Sequence, residues 1–146
     1  MSFRNAVRAT PPVSVAYRPG LQALREIDRK RVSCRDSRKV TGSLDLDGAL
    51  KAERPHEPRW DYGIGYREGV VWVEVHPASS SHIGDVIAKH DWLKAWLRDE
   101  APRLHELPRE FVWVASGAVS LPPGSPQRRR LAQAGIRFAG SHLALE

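Results

Sequence analysis

The run Val70-Val71-Trp72-Val73-Glu74-Val75-His76 restricts the fold more than any other segment. Its β-branched and aromatic residues suit a pleated, buried strand. After Pro77, the serines Ser79, Ser80 and Ser81 offer N-caps for a helix over 82–99, in which Ile83, Val86, Ile87, Leu93 and Leu97 share a face that ends near Pro102. A second apolar strand, EFVWVAS (110–116), follows. Two buried strands joined by a helix of this length predict parallel neighbours linked by a right-handed crossover, and hence a mixed sheet with helices on its faces.

The remaining segments add to that unit. RWDYGIGY (59–66) alternates Trp60, Tyr62, Ile64 and Tyr66 with smaller or charged residues, and Arg67-Glu68-Gly69 turns it into the valine-rich strand as a hairpin. SLDLD (43–47) has the period of a strand with one wet face. Leu21, Leu24, Ile27 and Arg31 recur at helical spacing over about 20–32, and residues 48–58, with Pro55 and Pro58, form a loop. LPPGSP, a short basic helix QRRRLAQAG and an apolar run around HLAL complete the chain. The expected fold is α/β, one domain in the order α-β-β-β-α-β-α-β over residues 20–146, with residues 1–19 as an extended or flexible lead-in.

With 146 residues the chain suits one core. No apolar run approaches the roughly 20 residues that span a bilayer, and the N-terminus lacks the apolar stretch of a signal peptide. The expectation is a soluble, cytoplasmic protein with no membrane partner. A single cysteine, Cys34, excludes a disulfide within the chain and any multi-cysteine zinc or iron–sulfur site.

The net charge of +6 is unevenly placed: residues 1–40 carry +7, residues 41–112 carry −4 and residues 113–146 carry +3. Basic ends around an acidic middle fit phosphate binding beside a carboxylate centre. The candidate nucleic-acid contacts are Arg29, Lys30, Arg31, Arg35, Arg38 and Lys39, together with Arg128, Arg129 and Arg130. A solvated basic face explains the same residues.

Asp61 and Glu74 lie on the two strands of the hairpin, and strand alternation puts Glu74 on the side of Trp72 and His76, away from Val71, Val73 and Val75. A carboxylate in so apolar a strand needs a partner or a cation. Two carboxylates on one face would make an oxygen site for Mg²⁺ or Mn²⁺, while an ion pair or a sheet-edge cap would equally account for Glu74. His76 is a candidate ligand or general base. Lys89 lies beside the apolar face of the helix, from which it can reach the end of the strand or remain in solvent.

The order α-β-β-β-α-β over about residues 20–117, with Asp61 on the second strand and Glu74-Val75-His76 on the third, resembles the PD-(D/E)xK nuclease superfamily, the restriction-endonuclease-like fold. The resemblance implies that Asp61 and Glu74 bind the divalent ion and that Glu26 of the first helix assists. The motif's lysine position holds His76, and Trp60 stands where the motif has proline. Either His76 or a lysine relocated to the helix, Lys89, then takes the lysine's role, or catalysis has been lost.

Other groupings point less sharply. Asp45 and Asp47 either add a carboxylate or mark a wet sheet face. Gly63 and Gly65 read as strand glycines, and Cys34 as structural. His82, His90 and His105 read as packed or surface histidines. Trp92 and Trp96, one helical turn apart, suit a core or an interface for a homodimer or protein partner. Two functions follow from these residues: a divalent-metal-dependent nuclease acting on phosphodiesters, or a non-catalytic α/β module binding nucleic acid or a protein.

Overall fold

The computed structural model describes residues 1–146. In chain order its elements are α1 (Phe3–Arg8), β1 (Tyr17–Arg18), α2 (Glu26–Arg29), β2 (Val32–Cys34), β3 (Val40–Asp45), α3 (Leu46–Leu50) and β4 (Tyr62–Tyr66). Then come β5 (Gly69–Ser79), α4 (Ile83–Glu100), α5 (Pro102–His105), β6 (Arg109–Ser120), α6 (Pro126–Ala134), β7 (Ile136–Phe138) and β8 (Leu143–Leu145). No helix is long and apolar enough to cross a membrane.

Six strands form a mixed sheet in the order β1-β3-β4-β5-β6-β7. The pairs from β1 to β5 are antiparallel, while β5–β6 and β6–β7 are parallel. The expected hairpin is therefore central, and α4 is the crossover between its second strand and β6. Side chains alternate across the sheet. Trp72 and Trp113 face Val86, Leu93 and Leu97 of α4 in the larger core cluster. Val71, Val73, Val112 and Val114 face Leu24, Val32, Leu143 and Leu145 in the smaller one. Gly63 lets Trp72 lie against β4, because a Cβ there would stand 2.7 Å from the indole.

Several expectations need correction. Residues 1–19 are not an extended lead-in: Ser2 caps α1, and Phe3, Ala6 and Val7 are buried in the larger core. The helix expected over 20–32 shrinks to the single turn α2. Leu21 and Leu24 pack against the smaller cluster from turns, and Ile27 is 62% exposed. Spacing of three residues suits successive turns as well as a helix, and Gly20 at φ 53° breaks continuity at the start. The strand at 43–47 is shifted to 40–45, with Ser43 buried and accepting a hydrogen bond from the Ala23 amide at 3.0 Å. Leu46 and Leu50 turn the supposed loop start into α3. The HLAL run becomes β8, which pairs with β2 in a separate two-stranded parallel sheet and buries alternate residues. Pro77 lacks an amide proton, and the β5–β6 register shifts between His76 and Ala78.

Candidate active site

The site forms where β5 outruns β4. The last β4–β5 pair is Tyr62↔Val73, so beyond it the β5 edge has no strand to bond. Asp61, immediately before β4, takes over: its Oδ2 accepts from the Val75 amide at 2.9 Å. The Asp61 amide in turn donates to Glu74 Oε1 at 3.1 Å. Each carboxylate thus has one oxygen fixed by backbone and one oxygen left over.

The two remaining oxygens converge on Lys89. Its ammonium forms an ion pair with Glu74 Oε2 and stands 3.9 Å from Asp61 Oδ1. Glu74 has no exposed surface, while the side chains of Lys89 and Asp61 are 18% and 21% exposed. One ammonium does not neutralise two carboxylates. Burial, reinforced by the neighbouring Glu74, pushes Asp61 up to about 7, against the pull of Lys89. Burial alone would lower Lys89, but Glu74 and Asp61 outweigh it and hold the ammonium above its ordinary range.

His76 shares the face of Glu74, with Nδ1 at 3.4 Å from Glu74 Oε2. Its carbonyl accepts from Trp113 Nε1 at 3.0 Å, which ties this end of β5 to β6. Asp61, Glu74, His76 and Lys89 are therefore brought together as the sequence suggests. Glu26 is not: its carboxylate is 82% exposed and its ion-pair partner is Lys30 at 3.8 Å. A one-turn α2 points this residue outward instead of over the sheet.

A pocket of about 200 Å³ opens beside Asp61, lined by Arg25, Asp45, Asp47, Gly48, Lys51, Asp61 and Tyr62. Asp45 caps α3 through the Gly48 amide at 2.8 Å, and Asp47 pairs with Arg59 Nε at 3.0 Å. Arg25 and Lys51 supply the pocket's positive charge, and sequence reasoning misses both. Helical spacing over 20–32 puts Arg25 on an outer face, and Lys51 falls in a loop with no pattern of its own.

The expected basic contacts do not form one track. Arg31 reaches the Ala115 carbonyl at 3.2 Å, Arg38 pairs with Asp36 at 3.0 Å, and Lys30 is paired with Glu26. Arg29 binds the Leu24 carbonyl at 3.0 Å, Arg35 is exposed and Lys39 is half-buried. Arg128 stacks over Phe138 at 4.8 Å, Arg129 holds the Gly124 carbonyl at 2.9 Å and Arg130 is exposed. Because Val32 belongs to one core cluster and Leu131 of α6 to the other, the two groups flank opposite faces of the sheet. Trp96 is 2% exposed, and the half-buried Trp92 stacks on it and donates to Glu57 Oε1 at 2.8 Å. His90 is packed against Phe111, as the packed reading expects.

No family model, curated protein or solved structure matches the chain.

Proposed function

We propose that the protein is a divalent-metal-dependent nuclease acting on phosphodiesters of nucleic acid, with Asp61, Glu74 and Lys89 as its centre. The observation that carries this reading is the convergence of Asp61 Oδ1 and Glu74 Oε2 on a single cation, Lys89 Nζ. Two hard oxygen donors, each braced by a backbone amide, suit Mg²⁺ or Mn²⁺. Asp61 and Glu74 would hold the ion. When bound, it supplies Lewis-acid polarisation of a phosphoryl oxygen and acidifies coordinated water.

The chain's own groups divide the rest of the work. Lys89 reaches both carboxylates, so it orients the attacking water and offsets charge that develops on the phosphoryl oxygens. The Arg25 and Lys51 side chains of the pocket hold the phosphate backbone beside Asp61. Of the two carboxylates His76 approaches Glu74, with Nδ1 at 3.4 Å from Oε2, and acts as its positioning residue. The alternative, a module that binds nucleic acid or a protein without cleaving, takes support from the same ion pair: Lys89 already neutralises Glu74 as a structural partner would.

The test is cleavage of single- and double-stranded DNA and RNA by the full chain at low salt, in Mn²⁺, Mg²⁺ or chelator, alongside Tm. Mn²⁺-dependent cleavage with a Tm rise is expected, because an ion that binds only the folded state stabilises it by mass action. Glu74→Gln should abolish both and keep the fold. A wild type with neither response overturns the nuclease reading. Salt-sensitive nucleic-acid binding in that same protein would then favour the binding module.

A further inference from the structure

Beyond the oxygen site, a second group of donors lies on the strand–turn–helix connection. His76 on β5, and His82 and Asp85 at the start of α4, each present a ligand atom within 4.8 Å of the others. We propose that these three residues form a separate site for a first-row transition metal of the zinc and cobalt class, distinct from the Mg²⁺ or Mn²⁺ centre.

Local structure assembles the trio. The rings of His76 and His82 meet edge to face at 5.1 Å. His82 Nδ1 faces Asp85 Oδ2 at 3.7 Å, beyond hydrogen-bonding distance, and is shielded from solvent with no hydrogen-bond partner. A shielded imidazole nitrogen beside a carboxylate that it does not bond is a donor with capacity to spare. Donors about 2.0–2.2 Å from a tetrahedral ion lie roughly 3.4 Å apart, so the trio needs to close by at most about 1.4 Å. Asp85, with 67% of its side chain exposed, has the freedom to do so.

The chemistry selects the metal. Two imidazoles and one carboxylate favour Zn²⁺ or Co²⁺, whereas Mg²⁺ prefers oxygen donors. Three protein ligands leave a fourth position open toward solvent, the arrangement of zinc sites that accept an exogenous ligand. Nδ1 of His76 stands 3.4 Å from the buried Glu74 Oε2, which leaves Nε2 free for the ion. His76 thereby joins the two metal sites through Glu74.

The experiment titrates Co²⁺, then Zn²⁺, into the full chain carrying no histidine tag, reading Co²⁺ ligand-field absorption and calorimetric stoichiometry. One Co²⁺ per chain with a tetrahedral-type spectrum, displaced by Zn²⁺, is expected. His82→Ala and Asp85→Asn should each weaken binding by about tenfold or more while retaining wild-type circular dichroism. Asp61→Asn, which removes a ligand of the oxygen site, should leave the Co²⁺ spectrum in place, so failure of the nuclease reading and failure of this one are separable. No Co²⁺ spectrum in folded wild type, a spectrum indifferent to both His82→Ala and Asp85→Asn, or one abolished by Asp61→Asn would each overturn the proposal.

Discussion

Lys89 and Glu74 form an ion pair across fifteen residues of sequence, one side chain descending from a helix and the other buried in the strand beneath it. The helix is the crossover that the parallel β5–β6 pair requires. The same connection that builds the sheet thus delivers the cation to the carboxylates.

Removing that cation should be costly. Lys89→Met leaves Asp61 and Glu74 facing each other with no ammonium, and loss of one partner from a buried pair costs about 3–5 kcal/mol. Denaturant unfolding should show this loss, and Mn²⁺ should restore part of it by occupying the space between the same oxygens. If the variant matches wild type in stability, the ammonium is not what neutralises the pair.

Asp61 should give stability a distinctive pH dependence. Its carboxyl titrates near 7 in the folded chain against an ordinary value of 3.8, so between those values the folded state keeps a proton that the unfolded state has lost. Stability from this group therefore falls as pH rises through that window, by at most about 1.4 kcal/mol per pH unit. Unfolding free energies of wild type and Asp61→Asn from pH 4 to 8 should diverge accordingly. Parallel curves would show that Asp61 titrates normally.

His90 should act in the opposite sense. It is 1% exposed, with neither ring nitrogen hydrogen-bonded, and burial, aided by Lys94, lowers it from 6.5 to about 4. The unfolded chain then binds the extra proton between those values, so stability from His90 rises with pH across the window. His90→Leu should be more stable than wild type near pH 5 and lose that slope. A lower Tm at pH 5 would mean that ring packing with Trp60 and Phe111 outweighs the unsatisfied nitrogens.

Leu93 is fully buried in the interface between α4 and the sheet. Leu93→Ala should cost about 2–5 kcal/mol in chemical denaturation, the range for a core leucine that leaves a cavity. A loss well below that range would indicate that the helix settles into the vacated space.

Strand alternation makes much of the site legible in the amino-acid sequence. In Trp72-Val73-Glu74-Val75-His76 a period of two is dictated by the backbone alone, so Glu74 and His76 must share a face whatever packs against it. Helical periodicity sets Lys89 beside the apolar face of its helix for a similar reason. Glu26, Arg25 and Lys51 are not legible, because their positions depend on where short turns end. In α1, the Ser2 cap and the spacing of Phe3, Ala6 and Val7 are present in the sequence, but six residues are too few for periodicity to stand out. The gathering of His76, His82 and Asp85 depends on the turn between β5 and α4, which pattern alone does not specify.

The division of the site between two elements has a dynamic consequence. Both carboxylates ride on the β4–β5 hairpin, whereas Lys89 rides on α4, so the centre exists only while that helix is docked. A partial opening that lifts α4 without unfolding the sheet would pull the ammonium from the carboxylates and open the core around Leu93 and Leu97 together. Amide exchange in α4 would then measure how often the centre comes apart, and any activity would fade with the docking of one helix before the molecule as a whole melts.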